Sequence, residues 1–61
     1  MAIDKGMKVE FTFNGEVLTG TVENIDWFPI SRIVEQAISA DIMSGDTLYK
    51  HVLITNIEEG E

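Results

Sequence analysis

The chain has 61 residues, no cysteine and a single histidine, and its 11 acidic against 4 basic residues give a formal net charge of −7. That length holds one domain, 1–61, with a small core that no disulfide can staple, and one histidine without cysteines argues against a structural zinc site. The charge excludes a phosphate-tracking nucleic-acid surface and an anionic membrane surface, which both need lysine and arginine, and it leaves a basic protein as the partner that charge would attract.

The start, "MAIDKGMK", lacks the apolar stretch of a secretory leader. No apolar run approaches the roughly 20 residues of a membrane helix. With the absence of cysteine, this predicts a cytoplasmic protein.

The stretch "EFTFNGEVLTGTVE", Glu10 to Glu23, reads as a β-hairpin. Asn14-Gly15 suits a type I′ turn, which needs positive φ at both central residues. That turn sets Phe13 opposite Glu16, Phe11 opposite Leu18, Val9 opposite Gly20 and Met7 opposite Val22. Period-two alternation then puts Met7, Val9, Phe11, Phe13, Leu18 and Val22 on one face. Lys8, Glu10, Thr12, Thr19, Thr21 and Glu23 take the other, with Val17 the exception. Gly20 implies a bend or a close backbone approach. The second strand is expected to end near Ile25, where alternation slips.

Pro29 to Gly45, "PISRIVEQAISADIMSG", supports two readings. As a helix from about Ile30 to Met43, it opens with proline and closes with glycine. Ile30, Ile33, Val34, Ala37, Ile38 and Ile42 then share a face, with Asp41 intruding on it. As a strand, Arg32 to Met43 pairs with Thr47 to Ile57 across a Gly45-Asp46 turn. That register puts Ile42 opposite Tyr49, Ala40 opposite His51, Ile38 opposite Leu53, and Asp41 opposite Lys50 as a charge pair. The following stretch "TLYKHVLITNIEE" is dominated by β-branched and aromatic residues and reads as strand, with a bulge or two buried faces near Val52–Ile54.

The order of these pieces resembles the small SH3-like barrels of the Tudor and KOW kind. The matching pieces are Gly6 before the first strand, Gly20-Thr21-Val22, Gly45-Asp46 with Tyr49, and a single turn at Thr55–Ile57 before a short last strand. The resemblance implies an all-β SH3-like barrel of about five strands. The alternative is a ββαβ layout with a helix near 30–43. Tudor modules hold methylated side chains in aromatic cages, and KOW modules meet RNA or protein on a basic surface. This chain is acidic, and "DWFPISRIVEQ" is an insert beyond that pattern.

There is no P-loop, no G-x-G-x-x-G, no H-E-x-x-H and no nucleophile elbow. His51 alone carries no catalytic constellation and reads as a sheet-surface residue. The expectation is a non-enzyme without cofactor or metal. Trp27-Phe28-Pro29 looks like a loop in which Trp27 caps the barrel and Phe28 projects toward a partner. Tyr49, Glu10, Glu23 and Asp26 complete the candidate partner-binding set. Two functions fit: a small acidic protein-binding or assembly module, which could be a homo-oligomer, and an acidic inhibitor or nucleic-acid mimic, of the kind viruses encode, that blocks a basic partner protein.

Overall fold

The structure, a computed structural model, describes residues 3–60. Five antiparallel strands form one sheet: β1 (Lys8–Phe13), β2 (Glu16–Pro29), β3 (Glu35–Ser44), β4 (Thr47–Leu53) and β5 (Ile57–Glu59). Their order across the sheet is β4-β3-β2-β1-β5. One 3₁₀ turn, Ile54–Asn56, carries the chain from β4 to β5. It lies one residue earlier than the turn expected at Thr55–Ile57.

The first hairpin follows its turn chemistry. Asn14 and Gly15 have φ of 51° and 81°, as a type I′ turn requires. Phe13 pairs with Glu16, Phe11 with Leu18 and Val9 with Gly20. Val22 donates its N–H to the Met7 carbonyl at 2.9 Å, continuing the same register. Val9, Phe11 and Val22 are buried, and Met7, Phe13 and Leu18 pack beside them. Gly20 lies where β3 crosses close to β2. A Cβ there would fall 2.7 Å from Ile42 Cγ2 and would collide with the Met43 carbonyl oxygen. The ladder itself runs through Gly20 without a bulge.

Residues 30–43 form no helix, so the ββαβ alternative is overturned. The residues of the supposed helical face separate: Ile42 is buried and Ala37 half-buried, while Ile30, Ile33, Val34 and Ile38 are exposed. Ala40 and Ile42 point to the core two residues apart, as alternation along a strand places them, and β3 is paired on both sides, by β2 and β4. A helix would pair its own backbone groups internally, whereas β3 as a strand also supplies partners for the facing edges of β2 and β4.

Strand β2 does not stop at Ile25 but runs 14 residues to Pro29. The alternation slips there because the β2–β3 ladder shifts register twice, between Val22 and Asn24 and between Asp26 and Trp27. The β3–β4 pairing begins as expected, with Ser44 opposite Thr47 and Ile42 opposite Tyr49. It then shifts by one, so that Ala40 meets Val52 and Ser39 meets Leu53. The expected partners His51 and Lys50 together face the single residue Asp41, which is a β-bulge.

The sheet has one buried face and no second layer to cover it. It therefore curves onto itself. Tyr49 of β4 lies edge-on to Phe11 and Phe13 of β1, with centroids 5.3 and 4.9 Å apart, although β4 and β1 are not neighbours in the sheet. Ile3, Val9, Phe11, Val22, Ala40, Ile42, Val52 and Ile57 form the core inside this curve. The closure is incomplete, since β4 and β5 remain as edges.

Candidate functional site

Two features stand out beyond the curved body. The first is an arm. Beyond Val22 β2 pairs with β3 alone, and β3 meets β4 only from Ser39. The segment from Trp27 to Gln36 is thus a two-stranded ribbon with both edges free. It is joined at its end by Ile30–Val34, where the Ile30 and Ser31 N–H groups both donate to the Val34 carbonyl. The molecule measures 36 Å along its longest axis against 21 and 18 Å across.

This arm is apolar and exposed. Ile33 is 92% exposed, Ile30 60%, Phe28 59% and Trp27 48%. Val34 and Ile38 are exposed as well, and so is Leu53 at the end of β4. From Trp27 to Val34 the one charged residue is Arg32. The inner side of the arm opens a groove of about 610 Å³, with Ile3, Trp27, Ile30, Ala37 and Ile54 as its apolar lining and Asp4, Glu35 and Gln36 as its polar lining. Trp27 therefore borders the open end of the curved sheet, and Phe28, one residue on, lies on the opposite side of the ribbon.

The second feature is polar and sits at the arm's base, on the sheet face away from the core. Asp26 pairs with Ser39 across the ladder, Asn24 with Asp41, and the bulge brings His51 alongside. Ser39, buried, donates its hydroxyl to Asp26 Oδ2 at 2.6 Å. The same oxygen lies 3.3 Å from His51 Nδ1. Asp41 Oδ1 accepts the His51 backbone N–H at 3.1 Å. His51 has φ of 60°, a left-handed conformation uncommon outside glycine, and its side chain is 76% exposed. Asp26 has its carboxyl held below the usual range, chiefly by the Ser39 hydrogen bond and further by His51, against a partial desolvation that raises it.

These groups include the three residue types of a hydrolytic triad, in the wrong order. A nucleophilic serine needs the imidazole between itself and the carboxylate. Here the carboxylate stands between serine and imidazole, so the base that faces Ser39 is a carboxylate of lowered pKa rather than the imidazole. What the cluster does offer is metal-ligand chemistry. One donor atom each from Asp26, Asp41 and His51 lie within 4.8 Å of one another.

The other residues singled out in the sequence are dispersed. Tyr49 faces the core against Phe11 and Phe13 rather than the arm. Glu10 is exposed on β1, opposite Thr19 on one side and Glu58 on the other. Glu23 is exposed at the first β2 register shift. Only Trp27 and Phe28 come together on the arm, with Asp26 at its base. Asp41 and Ser39 escaped the sequence reading because their relation to Asp26 exists only through cross-strand register. Asp41 carried a signal nonetheless: it was the one charged residue misplaced on the supposed helical face. Among the described residues no helix is long and apolar enough to cross a membrane. Comparison with family models, curated proteins and solved structures finds no match to the chain.

Proposed function

We propose that the protein is a small, non-catalytic module that binds a protein partner through the apolar β2–β3 arm. One observation carries this reading: Trp27, Phe28, Ile30, Ile33 and Val34 are exposed together on a ribbon that protrudes from an otherwise acidic body. A chain this small needs its large apolar side chains for its core, and leaving them in water is a cost without a bound partner. Trp is enriched among the residues that carry interface energy, and aromatic residues, Phe included, are enriched in interface cores. The near-neutral arm also escapes the mutual repulsion that a net charge of −7 would impose on self-association.

The test is a comparison of the full chain with a Phe28→Asp/Ile33→Asp variant. Sedimentation reports self-association, and affinity capture followed by mass spectrometry reports other partners. Loss of an otherwise salt-resistant complex in the variant supports the arm. A complex that the variant keeps intact, or a wild-type chain that is monomeric and captures nothing, overturns it.

A second reading, an acidic inhibitor that occupies a basic groove on a target protein, draws on the like-charged Glu10–Glu58 pair on the outer face. Directly opposed carboxylates are destabilising, so a sheet that keeps them has a use for concentrated negative charge. This reading predicts a complex that salt dissolves. An affinity unchanged from low to high salt would sink it.

A further inference from the structure

The arm does not use the cluster at its base. We propose that Asp26, Asp41 and His51 form a binding site for a divalent transition-metal ion. The ligand set decides the class. Two carboxylates with one imidazole suit borderline ions such as Zn²⁺, whereas Ca²⁺ and Mg²⁺ prefer oxygen alone. Bonds of about 2.0–2.2 Å place neighbouring donors of one ion roughly 3–4 Å apart. The His51–Asp26 separation of 3.3 Å already meets this. The 4.8 Å span of the set requires closure on the order of an ångström in its widest pair.

The scaffold supports the site in three ways. Each ligand comes from a different, adjacent strand, β2, β3 or β4, so ladder hydrogen bonds fix their relative positions. The bulge swings His51 to the side where Asp26 stands, and Asp41 holds the bulge by accepting the His51 N–H. Ser39 donates to Asp26 from a buried position, which is the outer hydrogen bond that orients a metal-binding carboxylate. Ser39 is accordingly a positioning residue. The exposed imidazole leaves the remaining coordination positions to water, and the negative charge of the body raises the local cation concentration.

The experiment is calorimetric titration of Zn²⁺ into the full chain, with ¹⁵N–¹H spectra to locate the ion. Wild type is expected to take up one Zn²⁺ per chain, with amide shifts centred on Asp26, Asp41 and His51. The decisive variant is His51→Gly, which removes the imidazole and relaxes the left-handed backbone, so it folds at least as well. It should bind at least about ten-fold more weakly. Ser39→Ala should weaken binding less and leave the stoichiometry unchanged. Undiminished binding in His51→Gly overturns the site, as do shifts confined to Glu58 and Glu59. An absence of saturable binding up to about 1 mM Zn²⁺ overturns it equally.

Discussion

Asp41 reaches across the β3–β4 ladder to accept the backbone N–H of His51, which lies in the left-handed region at φ 60°. The side chain of one strand thus satisfies the amide that the bulge in the next strand frees. This relation predicts opposite effects for two substitutions. His51→Gly should raise stability by about 1 kcal/mol, because glycine takes that conformation without steric cost. Asp41→Ala should lower it by about 1–3 kcal/mol, leaving an amide unpaired. Urea denaturation followed by tryptophan fluorescence measures both. Equal loss in the two variants would show that the bulge is not strained.

Gly20 makes a separate prediction. Its missing side chain is what lets the Met43 carbonyl and Ile42 approach β2. Gly20→Ala forces the two strands apart where both belong to the core and should cost about 1–3 kcal/mol. The same replacement at Gly15 meets no neighbour within 4 Å and acts only through its positive φ of 81°. Thermal melts of the two variants separate crowding from backbone strain.

The Asp26 carboxyl bears on acid stability. Its folded-state pKa is lowered, first by the Ser39 hydrogen bond. A lowered carboxyl favours the folded state wherever it is ionised, so its contribution is present above the unfolded pKa and disappears as pH falls through the folded one. In metal-free buffer, the stability advantage of wild type over Asp26→Asn should therefore be present near neutral pH and shrink at acid pH, below about pH 4. Denaturant titrations across that range test it. A difference that holds constant into acid would mean that Asp26 is not the group responsible.

Glu10 and Glu58 face each other across the β1–β5 ladder. Replacing one by a cation converts repulsion into attraction. Glu58→Lys should stabilise the fold by about 0.2–1 kcal/mol, and added salt should narrow the gap. Salt-independent stabilisation would assign the gain to something other than charge.

The sequence was most informative where one local rule acted alone. Asn14-Gly15 determined a turn, the turn determined a register, and the register assigned Val9, Phe11 and Val22 to the core. The middle was harder because isoleucine and valine satisfy helical and strand spacing together. Ladders on both sides of β3, invisible to periodicity, decided between them. The site was less legible still. Trp27 and Phe28 are neighbours in the chain and could be paired by eye. The Asp26–Ser39–His51 contacts depend on register shifts in two ladders, and a one-residue slip moves a side chain to the other face. Bulges leave only a faint mark, here the broken alternation after Val22 and the charged residue at 41.

The two-stranded end of the sheet carries a dynamic consequence. In the body β1, β2 and β3 have neighbours on both sides and a core beneath them, while the residues from Trp27 to Gln36 have a single ladder. The ribbon's hydrogen bonds can open one rung at a time from Pro29–Glu35 inward, stopping where β4 joins at Ser39. Solvent deuterium would therefore enter the arm long before it reaches Phe11 or Ile42. The chain divides into a slow-exchanging vault and a fast-exchanging handle built from the same two strands.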